Sequence, residues 1–135
     1  MVHNVALILG QFHREEAKEM KDEAIRAAEE YNLSVVEVAW VPGSMEAPLA
    51  AKRLLNRDDI HGIIVLGIIE RGETDHGVAM GHAVTKALID LQLSFMKPIG
   101  MGILGPGISA HQIPPRLRSY ARAATSAVCH MLRQQ

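Results

Sequence analysis

The sequence predicts an α/β fold in which a parallel sheet is covered by helices on both faces. Strand and helix signals alternate about four times along 135 residues. Two strand segments, Val5 to Gly10 and the run opening at Ile63-Ile64-Val65-Leu66, are apolar without alternation. Such runs suit strands buried on both faces of a parallel sheet. Strands that alternate with helices in one domain imply right-handed crossovers. About four βα units make a three-layer αβα sandwich, with a four-stranded parallel sheet in the flavodoxin-like order 2-1-3-4. Residues 1–135 are read as one domain, long enough for a real core.

Each element has its own warrant. Gln11-Phe12-His13 ends the first strand, and a charged helix follows from about Arg14 to Tyr31. Its residues Ala17, Met20, Ala24, Ala27 and Tyr31 fall three and four apart, which makes one apolar stripe. Asn32 is a plausible terminator. Leu33 to Val41 alternates in part, through Val36, Val38 and Trp40, as expected nearer a sheet edge. Pro42-Gly43 is turn chemistry, and Pro48 suits only the first turn of a helix. That helix is expected from about Glu46 to Arg57.

After the central strand, a helix from His76 carries Met80, Val84, Ala87, Leu88, Leu91 and Phe95 as core until Lys97-Pro98 stops it. Ile99 to Leu104 reads as the last strand. Its glycines at 100 and 102 leave one face nearly bare for a backbone or a ligand. Gly105-Pro106-Gly107 reads as a turn, and Ser109 with Gln112 has capping-box spacing. Pro114-Pro115 forces a kink or restart before Arg116. The final helix is expected to bury Leu117, Tyr120, Ala124, Val128 and Met131.

Composition removes whole classes of function. The apolar fraction of 48% and charged fraction of 21% are those of a soluble globular chain. A formal charge of -1 without a basic stripe argues against a nucleic-acid partner. Cys129 is the single cysteine, which fits a reducing compartment. No signal peptide is legible at the start, and no apolar stretch approaches the roughly 20 residues of a membrane span. The expected location is the cytoplasm, away from any membrane.

Chemistry concentrates after the central strand, at Ile68-Ile69-Glu70-Arg71-Gly72-Glu73-Thr74-Asp75-His76. Open α/β sheets bind ligands at the carboxyl ends of their strands. Gly72 lets the backbone approach a ligand, and Thr74 or Asp75 can cap the following helix. Free N–H groups at that helix start favour an anion such as phosphate, and His76 can move protons near neutral pH. The competing interpretation is an ordinary capped helix start with a solvated histidine. The N–H groups of Ser44, Met45 and Glu46, at the start of the second helix, offer further donors.

Other occupants of the architecture fit poorly. A phosphorelay receiver needs acidic strand ends where this chain has Gly10-Gln11 and Gly67-Ile68. A flavodoxin needs a Ser/Thr-rich phosphate loop where Gln11-Phe12-His13-Arg14 stands. No P-loop, dinucleotide fingerprint or metal-spaced His/Cys cluster is present, so the metal expectation is none.

Three segments together resemble the lumazine synthase family. Val41-Pro42-Gly43-Ser44-Met45-Glu46-Ala47-Pro48-Leu49-Ala50-Ala51-Lys52 resembles its VPGAFE-x-PLAAK motif. Leu66-Gly67 through His76 resembles its LG-x-V-I-R-G-E-T-x-H loop, and Phe12 matches its aromatic residue after the first strand. Gly105-Pro106-Gly107 resembles the archaeal-type branch. The resemblance covers nearly the whole chain.

It implies condensation of 5-amino-6-(D-ribitylamino)uracil with 3,4-dihydroxy-2-butanone 4-phosphate to 6,7-dimethyl-8-ribityllumazine in riboflavin biosynthesis. Phosphate and water leave, and no metal or organic cofactor takes part. By the same resemblance, Phe12 stacks on the uracil, and Ser44, Met45 and Glu46 hold the ribityl hydroxyls. Ile68 and Ile69 contact the uracil, Gly72, Glu73 and Thr74 cradle phosphate, and His76 shuttles protons. Met101 stands where a phenylalanine lines the pyrimidine pocket. Arg116 matches the phosphate arginine that approaches from a neighbouring subunit, and Arg122 stands in for a nearby lysine.

Met45 and Gly77 also replace aromatics of the common pattern, and Glu70-Arg71 is more charged than the usual Ile-Arg. The implied assembly is a homo-oligomer, a pentamer or sixty chains arranged as pentamers in an icosahedral shell. Two alternatives stand beside this reading: an archaeal-type riboflavin synthase paralogue, which uses no phosphate substrate, and a catalytically silent flavin-binding or shell protein.

Overall fold

The computed structural model describes residues 2–134. Four parallel strands, β1 (His3–Gly10), β2 (Leu33–Val41), β3 (Gly62–Glu70) and β4 (Ile99–Ile108), lie in the order β2-β1-β3-β4. Helices α1 (Arg14–Glu30), α2 (Ala47–Leu55), α3 (His76–Phe95) and α4 (Leu117–Leu132) complete the three layers. The alternation of side chains along a strand explains how one apolar run serves both layers. Val5, Leu7 and Leu9 of β1, with Ile64, Leu66 and Ile68 of β3, belong to the core packed by α1 and α4. Ala6 and Ile8, with Ile63 and Val65, belong to the core packed by α2 and α3. Leu7, Ile8, Leu9, Ile63, Ile64 and Leu66 are essentially inaccessible. Burial of each contributes about 1.5–3 kcal/mol, so the two central strands are the strongest part of the frame.

β2 lies at an edge and bulges between Val35 and Glu37, leaving Val36 outside the regular register. Asn32 ends α1 in the left-handed region at φ 61°. The second helix is shorter than the sequence reading. A 3-10 turn over Ser44–Glu46 precedes α2, which starts at Ala47 with Pro48 in its first turn and stops at Leu55. There the Lys97 ammonium donates to the carbonyls of Leu55 and Arg57 at 2.9 and 3.0 Å, satisfying the helix end.

Two further expectations need correction. Gly105-Pro106-Gly107 is not a turn, because β4 runs through it to Ile108, which pairs with Glu70 across a register shift. Gly105 and Gly107 adopt φ 95° and 85°, conformations open to glycine, which let the strand bend without ending. The buried face of α4 is also rotated. Leu117, Ala121, Ala124, Val128 and Leu132 face the sheet, whereas Tyr120 and Met131 are 42% and 51% exposed.

The glycines of β4 supply the reason. A Cβ built at Gly100 would lie 2.2 Å from the Ala124 carbonyl oxygen, and one at Gly102 would lie 3.2 Å from that of Tyr120. The bare strand face is therefore filled by the backbone of α4, not by a ligand. At that approach Ala124 lies beneath both glycines, with the branched Val128 side chain against Gly100.

Candidate active site

A cleft of about 480 Å³ opens at the carboxyl ends of the central strands, the ligand end of an open α/β sheet. It brings together three stretches of sequence. Phe12 and His13 follow β1, Pro42 to Glu46 follow β2, and Ile68 to Gly72 close β3, with Met80 of α3 completing the wall.

Backbone contacts hold these stretches. The Gln11 N–H donates to the Val41 carbonyl at 2.9 Å, and the Glu46 N–H donates to the Gly43 carbonyl at 3.1 Å. Gly43 lies where a Cβ would meet the Phe12 ring and the Glu46 carboxylate, each at 3.8 Å. The aromatic face and the carboxylate thus flank one turn. A Cβ at Gly67 would lie 3.5 Å from Ser44 Oγ, which places that hydroxyl over β3. The N–H groups of Ser44 and Met45 remain available to hydroxyl or carbonyl oxygens, whereas that of Glu46, expected to be free as well, is taken by the Gly43 carbonyl.

The loop after β3 is tied at its root. The Arg71 N–H donates to the Ile108 carbonyl at 2.7 Å. A Cβ at Gly72 would meet nothing within 4 Å, so its backbone is open to approach. Asp75 is the N-cap residue of α3 but makes no side-chain cap. Thr74 Oγ1 instead accepts the His76 N–H at 3.3 Å. Glu73, Thr74 and His76 are exposed beside the cleft rather than within its wall. The His76 imidazole and the start of α3 consequently sit next to a cleft lined by Ile68, Ile69 and Met80.

The other expected residues lie elsewhere. Met101, on β4, points to the side opposite Gly100 and Gly102 and is outside the cleft. Arg116 precedes α4, donates from Nη1 to the Gln112 carbonyl at 2.8 Å, and lines a second, polar pocket. Gly107 and Tyr120 share that pocket. Arg122 is engaged within the frame rather than in either recess. It donates to Glu23 at 3.0 Å and to Glu30 at 2.7 and 3.2 Å, bridging α4 to α1. Hydrogen bonds from Arg26 and Arg122 hold the Glu23 carboxyl below its ordinary pKa. Donating to the Glu30 and Glu23 carboxylates raises the Arg122 pKa further.

Sequence reasoning missed His13, Pro42, Gly43, Glu70, Arg71 and Met80 as cleft residues. The β3 motif already hinted at Glu70, a charge at a usually apolar position. His13 and Met80 carried no such signal. The capping box at Ser109 and Gln112 forms as expected and leads the chain into the Arg116 pocket. Among the described residues no helix is long and apolar enough to cross a membrane, and no group of three or more His, Cys, Asp or Glu could hold a metal ion.

Comparison with known proteins gives one answer. The sequence model of the 6,7-dimethyl-8-ribityllumazine synthase family matches residues 3–135. The synthase of that name from Methanopyrus kandleri is 37% identical over 130 residues, covering 96% of this chain and 92% of the relative. Its counterpart from Metallosphaera sedula is 36% identical over 130 residues, covering 96% and 86%. That of Methanosarcina barkeri is 35% identical over 135 residues, covering 99% of each. Full-length likeness and a cleft assembled from the matching motifs together place this chain in the 6,7-dimethyl-8-ribityllumazine synthase family.

Proposed function

We propose that this chain is an enzyme that condenses 5-amino-6-(D-ribitylamino)uracil with 3,4-dihydroxy-2-butanone 4-phosphate to form 6,7-dimethyl-8-ribityllumazine. The observation that carries this reading is the convergence of Phe12, Ser44–Glu46, Ile68, Ile69 and Gly72 on one cleft. Phe12 offers a flat apolar face for the pyrimidine, and Ile68 and Ile69 form the floor beneath it. Ser44, Met45 and Glu46 offer hydrogen-bond donors and a carboxylate to the ribityl hydroxyls. Gly72, Glu73 and Thr74 take the phosphate next to the start of α3, where helix N–H groups favour an anion.

The chemistry asks for proton transfers rather than a cofactor. The uracil's primary amine adds to the ketone and one water leaves to form an imine; phosphate is then eliminated, and the second nitrogen closes the ring on the carbonyl that results, releasing a second water. His76 carries protons between these steps. Holding two reactants in one cleft supplies a further part of the acceleration.

The proposed assembly follows from what the cleft lacks. Arg116 and Met101 lie outside it, at the β4 side of the molecule. A ring of subunits would carry one chain's Arg116 and Met101 to the cleft of the next, and a heterologous interface that closes makes such a ring. A pentamer, alone or as part of an icosahedral shell, is the proposed form. The proposed setting is the cytoplasm. Arg122 is left out of the site, since its charge is matched by Glu23 and Glu30.

Incubation with both substrates tests the reading through fluorescent lumazine and free phosphate. Product from lumazine alone would indicate the riboflavin synthase paralogue. Tight flavin binding without turnover would indicate a silent module.

A further inference from the structure

The cleft contains an ion pair for which the proposed reaction has no assigned role. His13 Nε2 lies 3.8 Å from Glu70 Oε1, with the side chains 26% and 39% exposed. Both residues line the cleft, one from the turn after β1 and the other from the end of β3. The separation is long for a hydrogen bond. The link therefore acts through charge and exists only while the imidazole is protonated.

Phe12 needs such a link. In the isolated chain the residue is 85% exposed, so its own subunit does little to pack the ring. Its backbone is held on either side. Gln11 is bonded to Val41, and the His13 carbonyl accepts the Ala17 N–H at 2.8 Å as α1 begins. Neither contact ties the turn to β3, whose end forms the opposite wall of the cleft. The His13–Glu70 pair makes that connection. A stacking face is useful only when its support is fixed, because a loosely held ring gives up binding energy to its own ordering.

We infer that His13 and Glu70 form a positioning pair that sets the Phe12 ring across the cleft, so that affinity for the heterocyclic substrate depends on the charge of both. The inference rests on the proposed reaction, in which Phe12 stacks on the pyrimidine. The surrounding charges are few. Arg71 follows Glu70 and lines the same cleft, and the Glu46 carboxylate lies beside Gly43, at the same turn as the Phe12 ring. Glu15 and Glu16 stand in the first turn of α1, and His76 opens α3. Arg14 is turned away, its guanidinium carbon 4.3 Å from the Trp40 ring centre.

The test is calorimetric titration of 5-amino-6-(D-ribitylamino)uracil into the wild-type protein, Glu70→Gln, His13→Gln and His13→Lys at pH 6 and pH 8.5. These conditions span the range in which imidazoles commonly lose their charge, whereas lysine keeps its own. The wild type is expected to bind roughly twofold to fivefold more tightly at pH 6, the span of a part-exposed ion pair. Glu70→Gln and His13→Gln should bind at the weaker level at both values. His13→Lys should bind at the tighter level at both. The KM for the butanone phosphate should not change in any variant.

A wild-type pH response retained in Glu70→Gln overturns the pair. So does His13→Lys binding as weakly as His13→Gln. Lumazine formation is followed with the same wild-type protein. Product without the variant effects defeats the pair alone, and variant effects on binding without product defeat the reaction alone.

Discussion

At the scale of single residues, the arginines preceding and within α4 show how position decides what a charge does. Arg116 and Arg122 are six positions apart, yet one lines an open polar pocket and the other is bound by two carboxylates. Arg116→Ala should raise the KM for the butanone phosphate and leave that for the uracil amine unchanged. Charge-assisted hydrogen bonds are worth about 1.5–3 kcal/mol each, so loss of one raises that KM roughly 10-fold to 100-fold. Steady-state kinetics with each substrate varied in turn checks this, and equal losses for both would make Arg116 structural.

Arg122 answers to a different measurement. Hydrogen bonds from Arg26 and Arg122 lower the pKa of Glu23 in the fold, and Glu23 is only 8% exposed. A depressed carboxyl stabilises the fold above its unfolded pKa, near 4.3, and that stability is lost as pH falls through the folded value. Arg122→Ala should therefore move the acid unfolding limb to higher pH and lower stability at neutral pH. Acid titration of the unfolding free energy would show it. An unmoved limb would mean that Arg26 alone suffices.

At the scale of elements, glycines decide how closely layers approach. A Cβ at Gly81 would fall 2.6 Å from the Pro106 ring, so α3 meets the bent end of β4 there without a side chain between them. Alanine is the better helix former by about 1 kcal/mol, which by itself would stabilise α3. The proline ring cannot swing aside as a flexible chain would, and overpacking costs about 1–3 kcal/mol. Gly81→Ala is expected to destabilise on balance, by roughly 1–2 kcal/mol in denaturant unfolding. A gain in stability would show that α3 and β4 can part without cost.

At the scale of the whole molecule, two recesses divide the proposed site. Ala79 and Ala83 of α3 are exposed, so they do not pack on this chain's own sheet; in the proposed ring they would give a neighbouring helix a small-residue face to approach. His76→Ala and Arg116→Ala, each impaired alone when the butanone phosphate is held below its wild-type KM, should regain part of the activity when unfolded together and co-refolded. Some interfaces would then carry both native residues. Hybrid oligomers of normal size without activity would show that each site belongs to one chain.

The sequence by itself determined the layered α/β architecture, the strand order and three of the cleft's segments. Each of these rests on local chemistry. The apolar runs of β1 and β3 suit doubly covered strands, and Pro42-Gly43 and Gly72 punctuate the two cleft loops after β2 and β3. Tertiary structure alone decided which face of α4 is buried, because Tyr120 and Ala121 suit a helical stripe equally well until Gly100 brings the two backbones together. It likewise carried β4 through Gly105-Pro106-Gly107, through pairing with Glu70 that no local propensity reveals. The His13–Glu70 pair and the capture of Arg122 by Glu23 and Glu30 belong to the same class. Each joins charges distant along the chain, and only packing of the layers sets the distance between them.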